Sequence, residues 1–199
     1  MAYQATLILL AAGESTRMRG ADKLLEHVDG LPLLRLMAQR CAKAGSTRVV
    51  LGPDQSKRLA ALDDLDVEVI TATDDDGMAA SIRAGIAGLK NQAVMIVLAD
   101  MPDIRAADLH LLLGLHSQGV APIVQAASAD GEPGQPVVFG SKYLKQLATL
   151  HGDHGAKSIL KAHARQVALI PLDGARARVD LDTPEDWAAW RQSRAGQSN

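Results

Sequence analysis

Arg17, Arg19 and Lys23 follow Gly13 directly after the apolar run Leu7-Ile8-Leu9-Leu10-Ala11. A glycine turn that exposes main-chain N–H groups beside fixed cations is what a polyphosphate requires. Two better-known phosphate loops do not fit these residues. A Walker loop needs a lysine followed by Ser or Thr after its second glycine, but six residues separate Gly13 from Gly20 and Leu24 follows Lys23. A dinucleotide fingerprint needs three closely spaced glycines, and Gly13 is alone before Gly20. By spacing alone, a solvated strand-to-helix loop explains these residues as well as a phosphate cradle does.

Carboxylates supply the second kind of chemistry. Asp100, in Ala99-Asp100-Met101-Pro102, ends the most apolar run in the chain, where Pro102 stops a strand. It reads as a turn or cap aspartate unless Asp103 takes the cap and leaves Asp100 free. Asp180 and Asp182 are two residues apart in a segment expected to be extended, which places them on one face. A nucleotide-bound magnesium ion takes one or two carboxylates, the rest of its octahedron being phosphate oxygens and waters. Asp74-Asp75-Asp76 reads as cap and dipole residues before a helix opening at Gly77, Met78 and Ser81. Gly152-Asp153-His154-Gly155-Ala156-Lys157 is a second glycine-flanked helix start suited to an anion. Histidines 27, 110, 116, 151, 154 and 163 form no helical pair with a carboxylate base, which argues against zinc hydrolysis. Ser15 lacks a nucleophile-elbow frame. Cys41 falls on an apolar helix face, as a small buried hydrophobe, and one cysteine excludes an internal disulfide.

Positioning these groups requires a layered α/β core. The 199 residues contain 47% hydrophobic but only 3% aromatic residues, so aliphatic side chains must fill that core. Short β-rich runs are expected at Leu7–Ala11, Arg48–Leu51, Val67–Thr71 and Val94–Ala99. Leu33, Leu34, Met37, Cys41 and Ala44 recur at helical spacing up to Gly45, and Met78, Ile82, Ile86 and Leu89 form another stripe. The β-α alternation predicts right-handed crossovers, a mostly parallel sheet and ligands at the carboxyl ends of its strands. Further on, strands are expected at Ala121–Ala127, Pro136–Phe139, Val167–Ile170 and Ala177–Leu181, with a turn over residues 130–134. Helices are expected from Lys142 to Leu150, up to His163, and from Pro184 with Thr183 as its N-cap. One domain over residues 1–190 and a frayed polar tail over 191–199 are expected. A net charge of −2 excludes an electrostatic footprint for nucleic acid or an anionic membrane. The first apolar run is too short for a membrane span and lacks a preceding charge, so a cytoplasmic protein is expected.

Six segments in register carry a family resemblance: LAAGESTRMRGADKLL at residues 10–25, GMAASI at Gly77, ADMP at Ala99, GQPVVF at Gly134, GDHGAK at Gly152 and DLDTPEDW at Asp180. In this order they resemble the molybdenum-cofactor cytidylyltransferases within the MobA-like nucleotidyltransferases, from about Leu7 to Trp187. The resemblance implies a single-domain Rossmann-like nucleotidyltransferase fold. It also implies magnesium-dependent transfer of CMP from CTP to the phosphate of molybdopterin, with release of pyrophosphate and hand-off of the product to a molybdoenzyme or its chaperone. Leu10, Ala11, Ala12, Gly13, Ser15, Gly77, Met78 and Ser81 would line the nucleotide, and Arg17 and Lys23 would hold the triphosphate. Asp100 would hold Mg2+ with Asp180 or Asp182. Gly134, Pro136, Gly152, Asp153 and Gly155 would face the acceptor.

The chain departs from that pattern at Arg19, an insertion that leaves either Arg17 or Arg19 to reach the phosphates. It departs again at Met101, where many cytidylyltransferases have Gln. Ala12 favours CTP over GTP, since guanylyl relatives more often carry Gly-Gly at positions 12 and 13. The alternatives are a guanylyltransferase on the same cofactor, a transferase acting on a sugar phosphate or other small phosphorylated acceptor, and a non-catalytic molybdopterin carrier. A carrier would not need the metal carboxylates.

Overall fold

A computed structural model describes residues 4–74, 76–153 and 155–196; Asp75, His154 and the chain ends lie outside them. In chain order the elements are β1 (Ala5–Leu10), β2 (His27–Val28), β3 (Leu31–Pro32), α1 (Leu33–Ala44), β4 (Thr47–Leu51), α2 (Ser56–Ala60), β5 (Glu68–Thr71) and α3 (Gly77–Ile86). Then come β6 (Ala93–Leu98), α4 (Ala106–Ser117), β7 (Ile123–Ala127), β8 (Pro133–Phe139), α5 (Leu144–Leu147), α6 (Lys157–Ala162), β9 (Val167–Pro171) and α7 (Pro184–Gly196). Seven strands form one sheet in the order β5-β4-β1-β6-β8-β7-β9, and β2 and β3 form a small hairpin. β5, β4, β1 and β6 are parallel neighbours, β8 runs antiparallel to β6 and β7, and β9 is parallel to β7. This is the mostly parallel α/β sheet expected from the alternating pattern.

Side-chain alternation along the central strands divides the core into two layers. Leu7, Leu9, Met95 and Val97 pack with Leu33, Met37 and Cys41 of α1, Leu109 and Leu112 of α4, and Trp187 of α7. Ile8, Leu10, Val94 and Ile96 pack on the other face with Ile82 of α3, Tyr143, Leu147 of α5 and Ile159 of α6. From β1 the chain moves to β4 and β5 on one side and returns to β6 on the other. The crevice outside the carboxyl end of β1 is therefore a topological switch point, where such sheets bind ligands.

Several local expectations are corrected. Residues 177–181 form no strand; a turn over 173–178 leads into an extended segment whose Leu181 N–H donates to the Asp100 carbonyl at 3.1 Å. That single main-chain bond lays Asp180 and Asp182 against the mouth of β6. The helix expected over Lys142–Leu150 is a 3-10 turn followed by the four-residue α5. Gly134, expected in a turn, lies in β8, and the turn spans Ser128 to Glu132. α7 continues through Arg191 to Gly196 because Arg191 and Arg194 stack over Trp187 and Trp190. Thr183 does cap α7: its hydroxyl accepts the Asp186 N–H while Asp186 accepts the Thr183 N–H. Asp103 caps nothing; it accepts the Trp190 indole N–H, and Asp108 instead accepts the Arg105 N–H at the start of α4.

Candidate active site

The loop after β1 is shaped from behind. Arg58 of α2 is 3% exposed and donates to the carbonyls of Ala11 (2.6 Å) and Gly13 (2.9 Å), while Gln55 donates to the Ala12 carbonyl at 2.9 Å. Three successive carbonyls are thus held on the protein side. Residues 11–14 all line a cleft of about 660 Å³. A Cβ added at Gly13 would meet no atom within 4 Å, so the space above that backbone is open cleft. Asp22 fixes Arg58 in turn through two bonds of 2.7 and 2.8 Å. Burial pulls the Asp22 carboxyl upward, but Arg58 and the Leu24 N–H outweigh it and hold the group below its ordinary value. Sequence reasoning missed Arg58 and Gln55. Arg58 lies in a charged five-residue helix and Gln55 just before it, neither in a motif, and only their long-range partners reveal the role.

At the strand mouth of β6 the cations of this loop meet carboxylates. Lys23 Nζ bridges Asp100 Oδ2 at 2.6 Å and Asp182 Oδ1 at 2.5 Å, and Arg17 pairs with Asp182 Oδ2 at 2.7 Å. Burial alone would lower the Lys23 pKa; Asp100 and Asp182 reverse this and raise it, so the ammonium is firmly charged. Asp100 Oδ1 is buried with no hydrogen-bond partner among the described residues. Burial first, then repulsion from Asp100, pushes the Asp180 carboxyl above its ordinary value. A buried carboxylate oxygen without a partner, in a cleft that further carboxylates also line, suits a hard divalent cation. No group of three or more His, Cys, Asp or Glu side chains forms a metal cage among the described residues. Two carboxylates leave the remaining coordination positions to substrate oxygens and water.

The cleft brings together Leu10, Ala11, Ala12, Gly13, Arg17, Lys23, Gly77, Met78, Ser81, Asp100, Asp153, Asp180 and Asp182, all named from the sequence. Met78 is 38% exposed, so it belongs to this wall rather than to the core stripe in which its spacing placed it. Arg17 lines the cleft, whereas Arg19 turns away to Glu185 at 2.6 Å. Gly52, Thr73 and Leu98 also line it without having been anticipated.

Other candidates do different work. Ser15 does not line the cleft; it donates to Asp22 and accepts the Lys23 N–H, bracing the loop from within. Gly134 and Pro136 lie away from the cleft, and Gly134 lets β8 pass close under the Ala177 carbonyl, where any Cβ would overlap it. Gly152 donates to Asp76 at 2.7 Å and accepts the Ala79 N–H, joining its loop to the start of α3. Asp76 therefore ties two loops together instead of capping α3 with its side chain. Gly77 combines φ of +57° with an approach so close that a Cβ would overlap the Asp153 carboxylate. Gly155 packs on Met78 and is likewise absent from the cleft wall. Cys41 is fully buried, and burial pushes its thiol up to about 12, which removes it as a nucleophile.

Among the described residues no helix is long and apolar enough to cross a membrane. The molybdenum cofactor guanylyltransferase of Serratia proteamaculans is 26% identical over 197 residues, 98% of each chain. A bifunctional GlmU protein of Chromohalobacter salexigens is 33% identical over 110 residues; the match covers 54% of this chain but 24% of that protein. The crystal structure of Rv0371c from Mycobacterium tuberculosis matches with a TM-score of 0.80 at 28% identity, over 95% of this chain and 98% of that one. A manganese complex of the same protein matches with a TM-score of 0.80 at 25% identity, over 96% and 99% of the two chains. Residues 7–167 match the MobA-like NTP transferase domain, and the chain belongs to that family.

Proposed function

We propose that this protein transfers the nucleotidyl group of an NTP to the phosphate of molybdopterin and releases pyrophosphate. One observation carries the reading: Asp100, whose buried Oδ1 has no hydrogen-bond partner among the described residues, lines one cleft with Asp180, Asp182 and the open loop at Ala12 and Gly13. Asp100, with Asp180 or Asp182, would hold a divalent cation, which the manganese complex of Rv0371c supports and for which Mg2+ is the expected ion. When bound, that cation neutralises charge shared between the acceptor phosphate and the nucleotide. Lys23 and Arg17 line the same cleft, where they would stabilise the charge that develops on the leaving pyrophosphate.

An oxygen of the acceptor phosphate attacks the α-phosphorus, the α–β bridging bond breaks, and its electron pair leaves with pyrophosphate. The product carries a diphosphate linkage. A phosphate nucleophile is already ionised at neutral pH, so no general base is required, and catalysis consists of alignment and charge stabilisation.

The choice of acceptor is supported by relatives named molybdenum cofactor guanylyltransferase, from Serratia proteamaculans over 98% and Nostoc over 92% of this chain. The same names support GTP as donor over the CTP that Ala12 suggested. CTP is the second reading and rests on Ala12 alone. Pyrophosphate release measured with molybdopterin, Mg2+ and either nucleotide tests both. Release with GTP is the expected result, a preference for CTP would restore the cytidylyl reading, and no release with either would refute the proposed reaction.

A further inference from the structure

The parallel pairing of β1 with β4 ends one bond early. Ala11 donates its N–H to the Val50 carbonyl at 2.9 Å, and in an evenly spaced parallel ladder the next bond would run from the Gly52 N–H to the Ala11 carbonyl. Side chains take up both groups instead. Arg58 donates to the Ala11 carbonyl at 2.6 Å, and Gln55 Oε1 accepts the Gly52 N–H at 2.8 Å. The same carboxamide donates through Nε2 to the Ala12 carbonyl at 2.9 Å. Gln55 therefore bridges the loop after β1 to the loop after β4 at the point where the two strands part. Its main chain is anchored as well, because its carbonyl accepts the Leu59 N–H at 3.0 Å. Glycine at position 52 lets the bridge close: a Cβ there would lie 3.2 Å from both the Ala12 carbonyl oxygen and Gln55 Nε2.

Ala11, Ala12 and Gly13 on one loop and Gly52 and Pro53 on the other all line the cleft, and none of them carries a polar side chain. The cations that line it, Arg17 and Lys23, are paired with Asp182 and Asp100 at the mouth of β6. Uncharged main-chain walls suit the nucleoside half of a nucleotide, and the cations suit its phosphates. We propose that Gln55 is a positioning residue for that nucleoside half, a carboxamide clasp that fixes the gap between the loops after β1 and β4. The inference rests on the nucleotidyltransferase reading. Its signature is a split between affinity and turnover. The nucleoside does not react, so loosening its slot removes binding common to the ground and transition states and leaves turnover at saturation in place.

The test compares two variants with wild type at pH 8. Gln55→Glu keeps an acceptor for the Gly52 N–H but sets a carboxylate oxygen against the Ala12 carbonyl, and Gln55→Met matches the side chain in length and keeps neither bond. GTP affinity is measured by calorimetry with Mg2+ and no acceptor, kcat at saturating GTP with molybdopterin, and folding by the urea midpoint. Gln55→Met is expected to bind GTP about fivefold more weakly and Gln55→Glu about tenfold or more, with kcat in both within about threefold of wild type. GTP affinity within about twofold of wild type in either variant would overturn the clasp, whether or not the urea midpoint had fallen. A kcat that fell in step with affinity would overturn it too, by placing the effect on the reacting phosphates. Wild-type protein that binds no nucleotide would instead refute the nucleotidyltransferase reading itself.

Discussion

The loops at the carboxyl ends of β1 and β6 and those around β7 to β9 use glycine in opposite ways. At Gly13 the absent side chain leaves open space, and Arg58 and Gln55 hold the adjoining carbonyls away from it. At Gly134 the absent side chain is filled by the protein's own Ala177 carbonyl, and at Gly155 by Met78. The first region keeps room for a ligand; the second uses the same residue type to bring chain against chain. Gly152 is similar, since both of its main-chain groups are bonded to the start of α3. A braced loop open to the cleft therefore stands beside a region whose glycines serve packing. The carboxylates that join the two regions arrive on the main chain of residues 180–182.

Asp100→Ala should break the first region most severely. Turnover is expected to fall on the order of 10³-fold with an unchanged thermal unfolding midpoint; unaltered pyrophosphate release would remove Asp100 from the site. Arg58→Ala acts on the same region through its scaffold. It leaves Asp22 without its ion-pair partner and the Ala11 and Gly13 carbonyls without their Arg58 donors, a loss of about 3–5 kcal/mol of stability that denaturant unfolding would measure. If nucleotide affinity survived that loss, Arg58 would be a folding residue only.

Gly134→Ala sharpens the contrast from the other side. The added methyl overlaps a main-chain carbonyl and is expected to cost about 1–3 kcal/mol while leaving nucleotide binding unchanged; weakened GTP binding would contradict the division. Asp76→Asn should give the smallest effect, seen as faster hydrogen exchange at the Gly152 amide. Arg83 first, then the Gly152 N–H, holds the Asp76 pKa below its ordinary 3.8. Its contribution to stability is therefore present above pH 3.8 and lost as pH falls through the lower folded value. Protection at Gly152 that vanished well above pH 3.8 would exclude Asp76 as the tether.

The parts legible in the sequence were those set by local pattern. Short buried aliphatic runs placed the four parallel strands, helical spacing placed α1, and the cap at Thr183 was readable because its partner Asp186 is three residues away. Asp100 stood out as a charge at the end of an apolar run and Lys23 as a cation of the glycine loop after another. What escaped depends on distant partners. Arg58 acquires its role from carbonyls more than forty residues away, and the separation of Arg17 from Arg19 requires Glu185. Residues 177–181 have strand-like composition but no neighbouring strand; Leu181 instead bonds the chain end of β6, and that exception is what carries Asp180 and Asp182 into the cleft.

The most direct measurement follows an α-phosphate label on GTP, and in parallel on CTP, through a single turnover with molybdopterin and Mg2+. The label is expected to become covalently attached to molybdopterin with one equivalent of pyrophosphate released, and both events are expected to disappear in Asp100→Ala. Label recovered as free nucleoside monophosphate, or retained entirely in unreacted nucleotide, would contradict transfer to an acceptor phosphate in this cleft.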